Sequence, residues 1–374
     1  MYLIILCFIL LCIAIYFLSL ITYIIANLKN NNLYKNTTPV SIIIAVKNGQ
    51  KSLPKLIIDL QNQIYHDKYE CIIVDNQSSD NTKQIILEIV KNDDRFHYVS
   101  SLDGNPKLSL KKRALDAGIK YSHFETLLFT DVDCSLKSRW ISTMMQSFRD
   151  NTDYVIGVAK ITHPKNIISI FQKIDLMMMQ IIGRGTSNID FPFASIGQNQ
   201  AYKKKLYDRI GFTKITDSIQ GDDTLFMQLC KKNNAKIRFN DNPDAFVESR
   251  METNLFTFLK QRIRWSADAK VMWNYNKIFF MILISTFISN LTLWIIPIVS
   301  ILNPQSALPY FYVLFLVKLI LELTLYIVGS IKMKSRIHIF YFLFWFILEM
   351  PYVVLMGIGS FFMKYIGWKG QVSK

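Results

Sequence analysis

Two carboxylates lie where a metal-assisted reaction at a phosphate could use them. Asp131 and Asp133, in Thr130-Asp131-Val132-Asp133, directly follow a short apolar run that is typical of a buried strand. Carboxylates at positions i and i+2 form an oxygen-rich site that suits Mg²⁺ or Mn²⁺ bound together with diphosphate oxygens. Such a metal offsets the charge that develops on a departing phosphate. The alternative for an isolated Asp-x-Asp pair is a solvated loop, so the position at a strand end is what favours metal binding.

A second pair of carboxylates stands in Gly221-Asp222-Asp223, just before an apolar pattern with helical spacing. One of the two is a candidate general base that takes a proton from a hydroxyl group. Crowding of like charges raises the pKa of a carboxylate, which suits that task. The alternative is that Asp222 or Asp223 only caps the helix that follows.

Asp75 also ends an apolar run, in Val74-Asp75-Asn76-Gln77-Ser78. A carboxylate at the carboxyl end of a strand is well placed to accept a hydrogen bond from a nucleobase or a ribose hydroxyl. The alternative is a turn residue that caps the next helix, a role that suits Asp80 better.

The stretch Gln261-Arg262-Ile263-Arg264-Trp265 places three polar or aromatic side chains on one helix face. Gln261, Arg264 and Trp265 are at positions i, i+3 and i+4. Arg264 is suited to diphosphate oxygens and Trp265 to stacking on an acceptor ring. The alternative is a basic, aromatic helix that lies on a membrane surface. The five-residue pattern is far rarer than Asp-x-Asp.

Alternating strand and helix patterns must position these groups. Repeated β–α–β units predict an α/β fold with a mostly parallel sheet, flanking helices and ligand binding at the carboxyl ends of the strands. The predicted strands are Val40–Val46, Glu70–Val74, Phe96–Val99 and Thr126–Thr130. The predicted helices are Ser52–Ile64, a helix capped by Asp80 or Thr82 that runs to Lys91, and Leu110–Tyr121.

Apolar segments flank this region on both sides. Tyr2–Ala26 is long enough to cross a bilayer and lacks the basic start and cleavage site of a signal peptide, so we expect an uncleaved anchor. Three further apolar segments are Ile278–Leu302, Leu308–Ile331 and Ile337–Met363. The sequence therefore predicts a transmembrane anchor in residues 1–28, a catalytic domain in 39–273 and about three membrane segments in 278–363.

Basic residues predict the orientation of these segments. Lys29 and Lys35 follow the anchor, and Lys332, Lys334 and Arg336 separate the last two segments. The positive-inside rule places both groups, and the catalytic domain, in the cytosol. Four spans then put both termini outside, although the tail carries Lys364, Lys369 and Lys374. Because Glu349 and Pro351 interrupt the last segment, a re-entrant or broken helix is an alternative there.

The composition is compatible with this organisation. The chain has 374 residues, a net charge of +15 and 51% hydrophobic residues. No basic motif is interleaved with aromatics, so we expect no nucleic-acid partner; attraction to an anionic membrane surface or simple solubility explains the charge. The five cysteines form no Cys-x-x-Cys pair, which favours a reduced, cytosolic setting over disulfides or zinc.

Taken together, these motifs resemble the inverting family-2 glycosyltransferases, whose fold is the Rossmann-like GT-A fold. The order is a strand-end Asp, then Asp-x-Asp, then a carboxylate pair, then Gln-x-x-Arg-Trp. The likeness covers about residues 39–273, two thirds of the chain. Further matching stretches are Ser41–Asn48, Lys111 with Ala114–Gly118, and Gly197-Gln198-Asn199 followed by Ala201-Tyr202.

The resemblance implies a role for each matching residue. Asp75 would hold the nucleobase, Asp131 the nucleotide, Asp133 the metal, and Asp223 would be the base. Donor binding would also use Lys111, Gln261 and Arg264, while Trp265 and Asn199 would face the acceptor. Two departures stand out: Asp75-Asn76-Gln77-Ser78 replaces the usual Asp-Asp-Gly-Ser, and Asp222-Asp223 replaces Glu-Asp. The second leaves open which aspartate is the base.

The function that the resemblance implies is sugar transfer from a nucleotide-sugar, with a UDP-sugar expected, to a membrane lipid, using Mg²⁺ or Mn²⁺. Ceramide glucosyltransferase-like members share one amino-terminal span and a small carboxy-terminal bundle. A processive polysaccharide synthase, whose acceptor is a growing glycan, is the main alternative; a nucleotide-sugar-binding pseudoenzyme is another. Lys318, Glu322 and Glu349 within membrane segments would fit a transporter, but the large cytosolic domain argues against one. We expect an integral membrane protein, in the inner membrane if bacterial.

Overall fold

A computed structural model describes most of the chain as two compact units. The described residues are 2–31, 34, 36–149, 151–161, 163–164, 166–215, 221–302, 308–335 and 338–362. Lys35, Arg336 and the three tail lysines lie outside them. The membrane unit comprises Met1–Lys29, Pro164–Gly185 and Met251–Lys374, and the sheet unit comprises Asn30–His163 and Thr186–Arg250. The predicted domain boundaries at residues 39 and 273 stay a prediction, because each of the two compact units is made of separate stretches of the chain.

Thirteen α-helices, four short 3₁₀ helices and nine strands are present in the described ranges. The helices are α1 Tyr2–Leu28, α2 Leu53–Gln61, α3 Thr82–Asn92, α4 Leu110–Tyr121, α5 Trp140–Met145, α6 Ile167–Asn188, α7 Lys204–Ile210, α8 Thr224–Lys232, α9 Leu255–Ser266, α10 Met272–Tyr275, α11 Lys277–Leu302, α12 Leu308–Lys332 and α13 Ile339–Phe361. The strands are β1 Val40–Val46, β2 Tyr69–Asp75, β3 Phe96–Ser100, β4 Thr126–Phe129, β5 Tyr154–Ile156, β6 Ala159–Lys160, β7 Gln200–Lys203, β8 Ile237–Phe239 and β9 Val247–Glu248. The four predicted strands correspond to β1–β4 and the three predicted helices to α2–α4, with shifts of a few residues at some ends.

The sheet unit is built on a seven-stranded sheet of order β3-β2-β1-β4-β7-β5-β8, with a separate β6-β9 pair. The pairs β2/β3, β1/β2, β1/β4 and β5/β8 are parallel, whereas β7 is antiparallel to both of its neighbours. The prediction of a mostly parallel sheet with flanking helices is therefore confirmed. The continuous apolar sequence of β1 and β2 follows from burial on both faces.

The strand register brings the predicted site motifs to one edge of the sheet. Val46, at the end of β1, pairs with Asp75, at the end of β2, and Asp131 follows shortly after β4 on the other side of β1. Because β7 runs antiparallel, its first residue, Gln200, pairs with Phe129 at the end of β4. The loop before β7, with Gly197 in it, therefore reaches the same edge as the carboxyl ends of the parallel strands.

Close packing fixes α4 against this sheet. A Cβ atom on Gly118 would lie 2.7 Å from Ile43 Cγ2 and 2.8 Å from Val74 Cγ2, so no larger residue fits without displacing the helix. Most of the last two turns of α4 are buried on β1 and β2. The first turn of α4, which carries Lys111, is thereby held near the functional edge of the sheet.

The membrane unit contains four helices that are long and apolar enough to cross a membrane. These spans are Leu3–Leu28, Lys277–Pro297, Tyr312–Lys332 and Ile339–Phe361. The predicted amino-terminal span and three carboxy-terminal spans thus correspond to α1, α11, α12 and α13; α1 packs against α11 and α12, and α13 packs against α11. The last segment is not broken at Pro351, since α13 continues through this residue. Proline is tolerated in membrane helices where neighbouring groups satisfy the freed carbonyl.

Charged side chains that the sequence places in the membrane form one buried cluster. Lys318 Nζ lies 2.8 Å from Glu322 and 2.8 Å from Glu349 Oε2, so α12 and α13 are joined by an ion pair. The Tyr16 hydroxyl of α1 donates a hydrogen bond to Glu322. All four side chains are buried. One lysine thus faces two carboxylates, the Tyr16 hydroxyl is a further partner of Glu322, and the cluster connects α1, α12 and α13.

Candidate active site

A lysine bridges the two carboxylate motifs at the functional edge of the sheet. Lys111 Nζ lies 2.9 Å from Asp131 Oδ1 and 3.0 Å from Asp222 Oδ2. Asp131 comes from the loop after β4, Lys111 from the first turn of α4, and Asp222 from the loop before α8. The structure therefore brings together three predicted site residues that are up to 111 positions apart in sequence.

The charges around Lys111 determine its protonation. Burial by itself lowers the pKa of Lys111, but the carboxylates of Asp131, Asp222 and Asp223 more than reverse this effect and raise the pKa well above its usual value. The side chain keeps 37% of its exposure, so solvent screens part of the attraction. Lys111 is thus a permanent cation at neutral pH, facing the space that an anionic donor would enter.

The two adjacent aspartates before α8 have different surroundings. Asp222 is buried at 6% exposure, pairs with Lys111, and accepts a bond at its backbone carbonyl from Gln200. Asp223 is half-buried and caps α8, since its Oδ1 accepts the Thr224 N–H at 2.6 Å. Gly221 precedes them with φ +98, a conformation that glycine adopts without strain. The charge of Asp222 is therefore neutralised by Lys111, whereas the carboxylate of Asp223 is more accessible.

The loop before β7 closes the same cluster from the other side. The Gly197 N–H donates to Asp223 Oδ2 at 3.2 Å. A Cβ atom on Gly197 would lie 3.2 Å from Lys111 Nζ, 3.3 Å from Asp222 Oδ2 and 3.4 Å from Asp223 Oδ2. These three charged groups therefore converge on the backbone of Gly197, and a larger residue there would intrude among them. Sequence reasoning used Gly197 only as a matching residue and missed this contact.

Asp131 and Asp133 follow β4 in a turn in which both carboxylates stay partly exposed. Their oxygens are the hard ligands that Mg²⁺ and Mn²⁺ prefer. The neighbouring Cys134 thiol is a poor ligand here, because burial first, and then the charges of Asp131 and Asp133, raise its pKa well above the ordinary value. Across the described ranges, no group of three or more His, Cys, Asp or Glu side chains could hold a metal ion.

Asp75 lies at the carboxyl end of β2 and is mostly buried. Its Oδ1 accepts the Ser78 N–H at 3.0 Å, and the Asn48 side chain accepts the Ser79 N–H at 2.8 Å. These bonds tie the loop after β1 to the loop after β2. Asp80 accepts the N–H of Thr82, the first residue of α3, but the N-cap position is Asn81, whose side chain makes no capping bond.

Asn199 occupies the interior of the sheet unit rather than its edge. The residue has no exposed surface, and its side-chain amide donates to the carbonyls of Val158 at 2.9 Å and Ala245 at 2.8 Å. Its Oδ1 accepts the Trp140 indole N–H at 3.0 Å. The expectation that Asn199 faces an acceptor does not fit this geometry, because every polar atom of the side chain is engaged inside the fold.

The Gln-x-x-Arg-Trp motif lies on α9 of the membrane unit. Gln261, Arg264 and Trp265 are half-buried there, on the helix that packs against α13. Arg262, which the sequence analysis passed over, is buried instead, with its guanidinium carbon 4.1 Å from the centroid of the Trp265 ring. In the sequence, the only signal for the burial of Arg262 is that a basic residue lies within an apolar face of the helix.

Comparisons with known proteins agree with the fold. The model of glycosyl transferase family 2 matches residues 41–212, and the model of glycosyl transferase family group 2 matches residues 139–358. Among solved structures, the mannosyltransferase PcManGT from Pyrobaculum calidifontis in complex with GDP-Man and Mn²⁺ aligns with a TM-score of 0.59 at 15% identity, covering 96% of this chain and 100% of that one. At that identity the likeness shows the fold, which is GT-A-like.

Curated relatives match over shorter stretches. The GalNAc(5)-diNAcBac-PP-undecaprenol beta-1,3-glucosyltransferase of Campylobacter jejuni is 33% identical over 132 residues, 35% of this chain and 41% of that protein. The poly-beta-1,6-N-acetyl-D-glucosamine synthase of Staphylococcus epidermidis is 26% identical over 230 residues, 61% of this chain and 53% of that protein. The chain thus spans about half the length, or less, of these relatives. Because the group 2 model covers more than half of its residues, this chain belongs to glycosyl transferase family group 2.

Proposed function

We propose that this protein transfers a sugar from a nucleotide-sugar donor to a membrane-associated acceptor by an inverting displacement. The observation that carries the proposal is the Lys111 bridge, which joins Asp131 of the Asp-x-Asp motif to Asp222 beside the candidate base Asp223. A cation between two acidic motifs, at the ligand-binding edge of an α/β sheet, suits a doubly charged diphosphate and a nearby proton acceptor.

Donor binding is assigned to groups of both motifs. Asp75 would accept a hydrogen bond from the nucleobase, and Asp131 would contact the nucleotide. Lys111 would exchange one of its carboxylate partners for a diphosphate oxygen. This exchange costs little free energy, because one negatively charged oxygen replaces another beside the lysine. Gln261 and Arg264 are assigned to the same diphosphate from the resemblance. A UDP-sugar is the expected donor; the PcManGT structure contains GDP-Man, so both nucleotides belong in the test.

A divalent metal, Mg²⁺ or Mn²⁺, fits the turn after β4. Asp133 would bind it and Asp131 would assist, with donor oxygens completing the coordination, as expected for an ion that is held by one or two carboxylates plus substrate phosphates. When bound, the metal stabilises the negative charge of the leaving diphosphate.

Asp223 is assigned the role of general base. It would take the proton of the acceptor hydroxyl while that oxygen attacks the anomeric carbon, the bond from this carbon to the diphosphate oxygen breaks, and the nucleoside diphosphate leaves. The Gly197 N–H and the Thr224 N–H hold the carboxylate in place. Asp222 is less suited to this step because its charge is already paired with Lys111.

The acceptor is proposed to be a lipid. Four candidate membrane spans beside the Gln-x-x-Arg-Trp helix favour a hydrophobic acceptor, and Trp265 would stack on its sugar or ring. The Campylobacter relative is named for an undecaprenol-linked substrate, and a Staphylococcus haemolyticus relative, 30% identical over 115 residues, is named 4,4'-diaponeurosporenoate glycosyltransferase. A ceramide glucosyltransferase-like organisation, with one span before the catalytic part and three after it, is part of this proposal.

A processive polysaccharide synthase is the second candidate, since the Staphylococcus epidermidis relative is named as one. The test is to incubate the full chain in nanodiscs with labelled UDP- and GDP-sugars, Mn²⁺ and a membrane lipid extract. Label in the organic phase supports a lipid product, and label in a high-mass aqueous fraction supports the synthase. Donor binding without release of nucleoside diphosphate would indicate a pseudoenzyme and contradict both.

We further propose that the sheet unit lies in the cytosol. Lys29 at the end of the anchor, and Lys332 and Lys334 at the end of α12, are the described basic residues that support this orientation through the positive-inside rule. The donor would then come from the cytosolic pool, at the inner membrane if the source is bacterial.

A further inference from the structure

A buried ion pair joins α6 to the Gln-x-x-Arg-Trp helix α9. Arg262 Nε lies 3.1 Å from Asp175 Oδ2, and the two side chains are 4% and 7% exposed. The Tyr352 hydroxyl of α13 donates to the same Asp175 oxygen at 3.3 Å. One carboxylate thus connects three helices of the membrane unit, and neither Asp175 nor Arg262 has a role in the proposed chemistry.

Aromatic rings hold the other side of the Arg262 guanidinium. Its Cζ lies 4.1 Å from the centroid of the Trp265 ring and 5.2 Å from that of Phe258, distances at which a cation is attracted to a ring face. Phe258 is itself stacked on Tyr352, with an interplanar angle of 7°. In the described part of the chain, neither Nε nor Nη1 of Arg262 has a hydrogen-bond partner, so its contact with Asp175 is an ion pair without a directed hydrogen bond. The carboxylate and the rings are therefore what fixes the orientation of the guanidinium.

Burying two charges costs desolvation free energy, so an ion pair is not the most stabilising way to hold helices together. Burial raises the pKa of Asp175 above its ordinary value, and the attraction of Arg262 offsets this only in part. Apolar residues of similar size often stabilise a buried site as well as an ion pair does, or better. The ion pair supplies a fixed, planar cation at one face of the Trp265 indole, which apolar residues cannot supply.

We propose that Asp175 is a positioning residue for the acceptor: it orients Arg262, and Arg262 orients the Trp265 ring. The proposal rests on the proposed function, in which Trp265 stacks on the acceptor. Arg262 and Trp265 are three positions apart on α9 and so lie on one face of the helix. A ring that is already ordered loses little side-chain entropy when the acceptor binds, whereas a free ring loses more and binds more weakly.

The first test measures acceptor KM, kcat and donor Kd for the full chain in nanodiscs. Asp175→Asn keeps the size of the side chain and removes its charge, so we expect acceptor KM to rise about tenfold, the order of effect of immobilising one side chain. Donor Kd should not change. Adding Asp175→Asn to Trp265→Ala should leave acceptor KM as it is in the single Trp265→Ala variant. Additive effects on KM, or a fall in kcat alone, would overturn the proposal.

A second variant separates positioning from simple stability. Asp175→Leu combined with Arg262→Met replaces the pair by apolar groups and should restore the melting temperature that Asp175→Asn loses. We expect acceptor KM to stay raised in this double variant, because the cation over Trp265 is gone. If acceptor KM returns to the wild-type value together with stability, the pair is only structural and the proposal is wrong.

A third readout does not depend on activity and separates failure of this inference from failure of the proposed function. Protein labelled with 5-fluorotryptophan gives one ¹⁹F signal per tryptophan, and Trp265→Phe identifies the signal of Trp265. Asp175→Asn should shift or broaden that signal and leave that of the buried Trp140 unchanged. An unchanged Trp265 signal contradicts the positioning role, whether or not the wild-type protein transfers sugar.

Discussion

Replacement of Asn199 tests whether this residue holds the sheet unit together or faces an acceptor. Asn199→Leu keeps the approximate volume and removes the bonds to the carbonyls of Val158 and Ala245 and to the Trp140 indole. Each such bond contributes about 1 kcal/mol net, and its buried partner then lacks a bond. The three together predict a loss of at least about 3 kcal/mol in the free energy of unfolding. For a unit of this size that corresponds to a fall of about 6–12 °C in Tm.

The assay is thermal unfolding of the full chain in nanodiscs, followed by tryptophan fluorescence. Gln198→Ala is the matched control, because Gln198 is the adjacent amide, lies only partly buried, and donates a hydrogen bond to Ser249 Oγ at 2.7 Å. We expect the control to lower Tm by no more than a third of the Asn199→Leu effect. A stable Asn199→Leu protein with a selectively raised acceptor KM would refute the structural role and restore the expectation from sequence.

Three further predictions concern the metal, the membrane bundle and the orientation. Asp133→Ala should abolish transfer, as EDTA should in the wild type until Mg²⁺ or Mn²⁺ is added; full activity in EDTA, measured as release of nucleoside diphosphate, would exclude the metal. Lys318→Met leaves two buried carboxylates without their cation and should lower the free energy of unfolding, measured by thermal unfolding, by about 3–5 kcal/mol. Adding Glu349→Leu should recover part of this loss, and no recovery would contradict charge pairing. Lys83→Cys, at an exposed position of α3, should react with an impermeant thiol reagent only in opened cells, and labelling of intact cells would reverse the proposed orientation.

Local sequence patterns were sufficient for the parallel half of the sheet. The apolar runs of β1 and β2 lie next to each other in space, and each is followed by the helix that its spacing predicts. Asp75 and Asp131 could therefore be placed at one edge from strand order alone. The four membrane helices were equally predictable, because a span of that length has few other stable solutions in a bilayer.

Contacts between distant segments could not be predicted in the same way. Antiparallel insertion of β7 between β4 and β5 brings Gly197 to the functional edge and Asn199 into the interior, and no periodicity in one sequence encodes that order. Gln200, the first residue of β7, also donates to the backbone carbonyl of Asp222, which pairs with Lys111. The ion pair joins two residues that are 87 positions apart, Asp175 and Arg262, and both look like ordinary surface charges until their burial is known.

Mutation of the adjacent aspartates tests the central claim most directly. Asp223→Asn and Asp222→Asn are compared in nanodiscs for sugar transfer and for binding of the nucleotide-sugar. If Asp223 is the general base, Asp223→Asn lowers turnover by about 10²–10⁴-fold and leaves donor affinity nearly unchanged. Asp222→Asn should cost less turnover and should not weaken donor binding, since it removes a carboxylate that competes with the diphosphate for Lys111. Near-normal turnover of Asp223→Asn would contradict the mechanism, and an inactive Asp222→Asn beside it would transfer the role of base to Asp222.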